Sequence, residues 1–279
     1  MRDPDIGASG RGIMDPAMPR RGTLSPPPVA DRNIPDPPTF ADVYDTVVGR
    51  DFWSHWWRAF ERLEREHGVR YARVCEVACG TAEIAHRFAR RGAEVSGVDI
   101  SEDMIRVARA KCGTDVALGV QAMEEMTLER PVDLIVCCYD SLNRLSGRGA
   151  LEATFGRFAA ALAPGGHVVC DLATRHHLER DWGTGVVRAL SGGIESIWQT
   201  VWHPDPARLV VHVTAFVPGR DGEPIPVTER VEEYAHAQDA IEAAVAGAGL
   251  EVVEVRDMLS WEPGSEAGER LFYLLRAPA

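Results

Sequence analysis

The stretch that decides the fold is Val74-Cys75-Glu76-Val77-Ala78-Cys79-Gly80-Thr81-Ala82. Its apolar first half predicts a buried strand, its small residues predict a tight turn, and a helix is predicted over residues 83–91. A turn of this kind lets the backbone approach a ligand, and the free N–H groups at a helix start favour an anionic or polar group. We therefore expect a ligand at the end of this strand.

Outward from this stretch, predicted strands alternate with predicted helices of 9 to 12 residues. Such alternation is typical of a parallel sheet covered on both faces. The second half breaks the rhythm with an antiparallel meander of about three strands, after which the α/β pattern resumes. We expect strands at 72–77, 94–98, 116–120, 132–138, 167–171, 250–255 and 270–276, helices at 83–91, 103–112, 151–162 and 239–246, and the meander strands at 194–201, 209–217 and 227–234.

The chain divides by composition. Residues 1–39 hold nine of the 18 prolines and no glutamate, which predicts a disordered Pro-rich tail. Residues 40–279 are then one domain, which opens with a helical lid over 40–70 and contains an antiparallel cap inserted at 190–235. Aromatic residues at helical spacing mark the lid and favour packing over a direct role in a site: Phe52, Trp53, Trp56, Trp57 and Phe60.

Charge and hydropathy exclude several classes of function. The net charge of −12 disfavours a nucleic-acid partner, and the apolar runs of five to six residues are too short to span a membrane. The N-terminus lacks the apolar run of a secretory signal, so we expect a cytoplasmic protein with a small-molecule partner. The six cysteines lack C-x-x-C spacing, which indicates buried thiols and no metal site.

Asp99 lies 19 residues after Gly80, at the end of the second predicted strand. An acidic side chain at this place can accept hydrogen bonds from both hydroxyls of a ribose. A dinucleotide site would need three glycines to admit its pyrophosphate, whereas Ala78 and Ala82 flank Gly80 here. The pattern therefore predicts an adenosine ligand without phosphates, against the alternative of a solvated carboxylate at a strand end.

Residues 74–99, followed by Ile100 and Ser101, resemble the cofactor signature of the class I S-adenosylmethionine-dependent methyltransferases. The likeness is to the small-molecule group that includes glycine N-methyltransferases and aminosugar N-methyltransferases, and it extends over residues 40–279. It implies a Rossmann-like sheet of seven strands with helices on both faces and the last strand antiparallel. It also implies S-adenosyl-L-methionine as the cofactor.

The resemblance assigns the cofactor-binding residues one by one. Glu76, Ala78 and Gly80 surround the amino-acid end of the cofactor, although Glu76 has the alternative role of capping a helix. Asp99 binds the ribose. Gln121 stands where the family often has an acidic residue for the adenine amino group, and its amide oxygen accepts the same hydrogen bond without the charge. The remaining residues implied at the cofactor are Ile100, Met104, Ala122, Met123 and Cys138.

The resemblance also implies residues that face the methyl acceptor. The segment from Cys138 to Leu145 passes beneath the methionine part, and Asp140 and Asn143 are either site residues or turn formers. Tyr44 belongs to the lid, where its ring or hydroxyl attracts the sulfonium, or it packs in the core. Other candidate acceptor-side residues, with a surface loop as the alternative for the first three, are Arg175, His176, His177, Tyr139, Trp198 and Trp202.

Together these patterns predict an enzyme that methylates a small molecule, most simply at an amine nitrogen. O- or C-methylation is the alternative, and it would need a base such as His176 or His177. A non-enzymatic cofactor-binding assembly protein on the same fold is a second alternative. The inserted meander is predicted to cap the acceptor; its alternative is a dimerisation sheet, since an exposed edge strand pairs readily with a second copy.

Overall fold

A computed structural model describes residue 35 and residues 37–48, 53–219 and 222–279, without the side chains of 53–55. The tail predicted over residues 1–39 therefore lies outside the described residues except at 35 and 37–39. The helices are α1 (Phe40–Val47), α2 (Trp53–Glu66), α3 (Glu83–Arg90), α4 (Glu102–Cys112), α5 (Arg148–Ala161) and α6 (Gln238–Gly247). The strands are β1 (Arg73–Val77), β2 (Glu94–Asp99), β3 (Val116–Val120), β4 (Val132–Cys137), β5 (Leu162–Ala173), β6 (Gly185–Ser191), β7 (Ile194–Pro204), β8 (Ala207–Pro218), β9 (Pro224–Tyr234), β10 (Glu251–Asp257) and β11 (Arg270–Arg276).

Seven strands form the main sheet in the order β10-β11-β5-β4-β1-β2-β3. Strands β1 to β5 run parallel, and β11 is antiparallel to both β5 and β10. The central strands β1 and β4 are buried along nearly their whole length, because helices cover both faces. One core packs α5 and α6 on the sheet, and the other packs α2, α3 and α4 on it. The predicted Rossmann-like fold is confirmed.

A second sheet contains β6, β7, β8 and β9 in that order, all antiparallel. It has one strand more than the predicted meander of about three. Strand β6 was not predicted because its apolar residues Val186 and Leu190 are exposed, so its sequence pattern does not indicate a strand with one buried face. The residues between β5 and β6, for which the sequence left an acceptor-binding role and a surface loop open, include a π-helical segment, His177–Trp182.

Helix α1 lies between the second sheet and helix α4. Its apolar face, with Phe40, Val43 and Val47, packs in one cluster with residues of the second sheet. On its other side, Asp42 pairs with Arg106 of α4 at 2.9 Å. The space enclosed by α1, the second sheet and the strand ends is where a parallel sheet places its ligands. No helix in the described ranges is long and apolar enough to cross a membrane.

Candidate active site

The turn after β1 has an unusual backbone. Ala78, Gly80 and Ala82 all have left-handed φ values, of 53°, 51° and 59°. Alanine rarely adopts this conformation, and residues held in it cluster at ligand sites. The turn leads directly into α3 and lines a cavity of about 410 Å³, within the range of small-molecule sites.

Asp99 ties the ends of β1 and β2 together. Its Oδ2 accepts the N–H of Gly80 and its Oδ1 accepts the N–H of Ser101, both at 2.8 Å. Asp99 is buried at the cavity wall. Because a carboxylate offers about four lone-pair sites, each oxygen keeps capacity for a further donor, as a pair of vicinal hydroxyls would require.

Glu76 both caps a helix and lines the cavity. Its Oε2 accepts the N–H of Ala85 in the first turn of α3 at 2.7 Å, so it caps the helix in place of Ala82, which has no polar side chain. The carboxyl group also lines the cavity. Burial raises the pKa of Glu76 to about 8, opposed by the Ala85 N–H and by Lys111.

An apolar slot lies beside Asp99. Ile100 is 73% exposed, unusual for a large aliphatic side chain, and together with Met104 and Met123 it lines the cavity. Gln121 also lines it, but its amide oxygen accepts the N–H of Thr127 at 2.8 Å and its amide nitrogen donates to the Thr127 carbonyl at 3.3 Å. The Gln121 side chain therefore organises its own loop. Ala122 follows it on the cavity wall.

The loop after β4 is the second place where left-handed backbone borders the cavity. Tyr139 and Asp140 have φ values of 61° and 49°. Asp140 pairs with Arg270 of β11 at 2.7 Å, and Arg270 also holds the fully buried Asp171 at 2.6 Å. Burial raises the pKa of Asp171 to about 6, whereas Arg270 opposes this shift. Arg270 was not predicted for the site, although a charged residue at the start of an apolar strand was a usable signal.

Tyr44 of α1 lines the cavity between these two loops. The charged groups that act on it come from both sides, with Asp99 on one and Asp140 and Arg144 on the other. Burial raises the pKa of Tyr44 to about 12, so its phenol stays neutral at physiological pH. We name the part of the cavity on the Asp99 side the donor half and the part on the Asp140 side the cap half.

The second sheet forms the outer wall of the cap half. Trp198 of β7, one of the candidate acceptor-side residues, lines the cavity. The sequence did not predict the other residues of this wall, because their positions depend on how the second sheet sits over the first. They are Val211, Val213, Glu229, Val231 and Glu233 of the second sheet. Trp182 of the π-helical segment and Arg144, from the segment after β4 that the resemblance places near the acceptor, also line the cavity.

Six residues predicted for the site lie outside the cavity lining. The Asn143 amide bonds the backbone of Ala173 and Tyr234, and so fastens β9 to the end of β5. His177 is buried, with Nδ1 2.9 Å from Asp181 and Nε2 accepting the indole N–H of Trp182. The others are Cys138, buried in the core; His176, exposed; and Arg175, exposed, with its guanidinium 5.8 Å from the ring of Trp202.

No group of three or more His, Cys, Asp or Glu side chains suited to a metal ion occurs among the described residues. The six cysteines are free and buried, as predicted. Burial raises the pKa of the Cys79 thiol, the cysteine that reaches the cavity, far above its usual value. The site therefore offers carboxylates, backbone N–H groups and apolar surface, and its thiol is unreactive.

Comparison with known proteins shows which kind of domain carries this fold and this cavity. Residues 74–166, which run from β1 into the first part of β5 and include both loops with left-handed backbone, match the family model described as methyltransferase domain. The chain carries a methyltransferase domain. The resemblance to the class I S-adenosylmethionine-dependent methyltransferases is thereby confirmed, as is the prediction of an enzyme.

Individual relatives are similar to this protein over most of its length. The dTDP-3-amino-3,6-dideoxy-alpha-D-glucopyranose N,N-dimethyltransferase of Streptomyces fradiae is 27% identical, covering 83% of this chain and 89% of the relative. DesVI of Streptomyces venezuelae is 25% identical with a TM-score of 0.65, covering 86% and 98%. An S-adenosylmethionine-dependent methyltransferase of Clostridium acetobutylicum shares the fold with a TM-score of 0.76 at 22% identity, again covering 86% and 98%.

Proposed function

We propose that this protein transfers the methyl group of S-adenosyl-L-methionine to the nitrogen of a small-molecule amine. The observation that carries the proposal is the single cavity that runs from Asp99 to the strands of the second sheet. A methyl donor and an acceptor bound in its two halves would meet near Tyr44. Holding two reactants in one enclosed space is a large part of what catalysis of such a transfer requires.

The donor half fits the cofactor. The Asp99 carboxylate is oriented by two N–H groups and has lone pairs left for the ribose hydroxyls. Ile100, Met104 and Met123 offer apolar surface for the adenine ring. We assign the amino-acid end to Glu76 and the turn around Gly80, since a carboxyl group lies there beside an accessible backbone.

S-adenosylmethionine, when bound, supplies a methyl group that is already activated by the positive charge on sulfur. The chain therefore has to align the acceptor, exclude water and keep the nucleophile neutral. Helix α1 closes over the cavity, and the salt bridge of Lys111 to its Asp45, at 2.6 Å, holds it there. The neutral phenol of Tyr44 presents a ring face and a hydroxyl dipole at the boundary of the two halves.

One observation favours nitrogen over oxygen as the acceptor. Two relatives are sugar N,N-dimethyltransferases by name, at 27% and 28% identity. In this proposal the second sheet, residues 185–234, selects the acceptor. If it serves as a dimerisation sheet instead, changes in its cavity wall will alter assembly and leave acceptor kinetics unchanged.

The test is a screen of amines with purified protein and S-adenosylmethionine, followed by S-adenosylhomocysteine formation and product mass. We expect S-adenosylhomocysteine to accumulate with at least one amine, with a product heavier by one or two methyl groups. Asp99→Ala serves as the cofactor-site control. Cofactor binding without turnover across amines, alcohols and carbon acids would instead support an assembly protein.

A further inference from the structure

Strand β9 presents carboxylates to the cap half of the cavity. Glu229, Val231 and Glu233 alternate along the strand and line the cavity, whereas Glu232 points to the other face and pairs there with Arg208 and Arg230. The register sets Glu229 opposite Val213 and Glu233 opposite Leu209 on β8. The cap half therefore joins an apolar floor to two acidic groups.

Glu233 has no fixed cation among the described residues. The charged groups that face it are Asp140 and Arg144 from the segment after β4, Arg270 from β11 and His177 from the π-helical segment. Arg270 is already held by Asp140 and Asp171, and His177 by Asp181. Within the described part of the chain, no basic nitrogen lies within ion-pair distance of the Glu233 carboxylate.

A cation bound beside Glu233 would stabilise its ionised carboxylate. Burial and the neighbouring Asp140 raise the pKa of Glu233 to about 8, while Arg144 opposes the shift. Burial also raises the pKa of Glu229, again opposed by Arg144. Without a ligand, Glu233 is therefore mostly protonated at neutral pH, and a cation that binds beside it displaces the proton.

We propose that Glu233 binds the acceptor as its ammonium ion, takes one proton from it, and selects amines that carry no phosphate near the nitrogen. The inference rests on the proposed N-methyl transfer and deepens it. In the proton transfer an N–H bond of the ammonium breaks, its electron pair stays on nitrogen, and an O–H bond forms on Glu233. The nitrogen is left neutral and nucleophilic, and the proton passes to solvent when the cavity opens.

The charged side chains of the cap half also determine which class of acceptor it can bind. Glu229 and Glu233 outnumber Arg144 on the cap side, and Arg270 is engaged by two aspartates. A nucleoside diphosphate next to the amine would face two carboxylates and one guanidinium. The relatives named for dTDP-linked amino sugars act on such compounds. This chain instead fits an amine on an uncharged, partly apolar body, packed against Trp198, Val211 and Val213.

The test compares two ligands of equal shape by calorimetric titration at pH 7 with S-adenosylhomocysteine present. Benzylamine and benzyl alcohol are titrated into the parent protein, Glu233→Gln and Glu232→Gln, in two buffers of different ionisation enthalpy. We expect the parent to prefer the amine by about tenfold or more, the scale of one charge-assisted hydrogen bond, and to release a proton on binding it. Glu233→Gln loses both the preference and the proton release, while Glu232→Gln, which loses the same charge from the outer face, behaves as the parent.

Several outcomes overturn the inference. A parent protein that shows no preference for benzylamine, including one that binds neither ligand, contradicts it. So does proton release that persists in Glu233→Gln. Should that variant fail to fold, the parent's own preference and proton release decide the question, together with Glu233→Asp, whose shorter carboxylate should weaken amine binding without abolishing proton release.

Turnover separates this inference from the function on which it rests. If amines are methylated while Glu233→Gln keeps the KM and the pH profile of the parent, N-methylation stands and the role of Glu233 falls. If the methyl group goes only to oxygen or carbon, N-methyl transfer itself is refuted. A lower KM for a dTDP-linked amino sugar than for its methyl glycoside refutes the exclusion of phosphate.

Discussion

Removing the carboxylate of Asp99 should weaken the cofactor complex without unfolding the protein. Each carboxylate oxygen already accepts one N–H at 2.8 Å and keeps capacity for a ribose hydroxyl. Asp99→Ala removes those acceptors at a cost of about 1.5 to 3 kcal/mol, the scale of a hydrogen bond to a charged group. By the same arithmetic, the Kd for S-adenosylmethionine rises roughly 10- to 150-fold.

Calorimetric titration measures this change, and thermal unfolding without cofactor shows how far the fold is preserved. Asp103→Ala is the matched control: it removes a carboxylate from the next helix, where the side chain is 52% exposed and pairs with Arg106 on the surface. The control should bind cofactor as the parent does. A Kd for Asp99→Ala within twofold of the parent, in a folded variant, would refute the assignment of the ribose site.

Other perturbations probe the cap, the lid and the buried acid. Trp198→Ala should raise the acceptor KM roughly two- to tenfold, because an aromatic contact contributes about 0.5–1.5 kcal/mol, and should leave the cofactor Kd within twofold. The control Trp202→Ala changes a residue outside the cavity lining and should lower only the melting temperature. Lys111→Met removes the ion pair of Asp45 on α1 and leaves only the hydrogen bond that Asp45 accepts from Thr81 Oγ1. The loss should cost about 1 kcal/mol, seen as faster hydrogen exchange in residues 40–47 and a weaker cofactor complex; unchanged exchange would show that the ion pair does not hold the lid. The pKa of Glu76 is raised from 4.5 to about 8, so the protonated side chain stabilises the fold at low pH and this contribution is lost as the pH rises through 8. In thermal melts from pH 5 to 9, Glu76→Gln should therefore gain stability relative to the parent as the pH rises. The same dependence of melting temperature on pH in both proteins would contradict the raised pKa.

The main sheet and the donor half follow closely from the sequence. Short-range patterns determine them: an apolar strand, a turn of small residues, and an acid 19 positions after Gly80. Parallel strands bring their carboxyl ends to one edge, so the order of the strands along the chain is enough to place Glu76 and Asp99 together. The side-chain bonds within that site, such as Gln121 to the Thr127 backbone, are less accessible to prediction, because loop geometry decides them.

The cap half could not be predicted in the same way. Glu229 and Glu233 belong to a strand whose consecutive polar residues are equally typical of a solvated strand. Only the docking of the second sheet turns them toward the cavity. Conversely, His176 and Asn143 have functional side chains at a favourable sheet edge, yet one is exposed and the other is saturated by backbone groups.

The most direct test of the central claim is the destination of the methyl group. The protein is incubated with S-adenosylmethionine labelled with carbon-13 in its methyl group and with an amine that supports turnover. The product is then examined by heteronuclear NMR. N-methyl transfer predicts that the labelled carbon is bonded to the acceptor nitrogen, in amounts that match the S-adenosylhomocysteine formed. A label bonded to oxygen or carbon, or cofactor that stays unchanged with every acceptor, would contradict the claim.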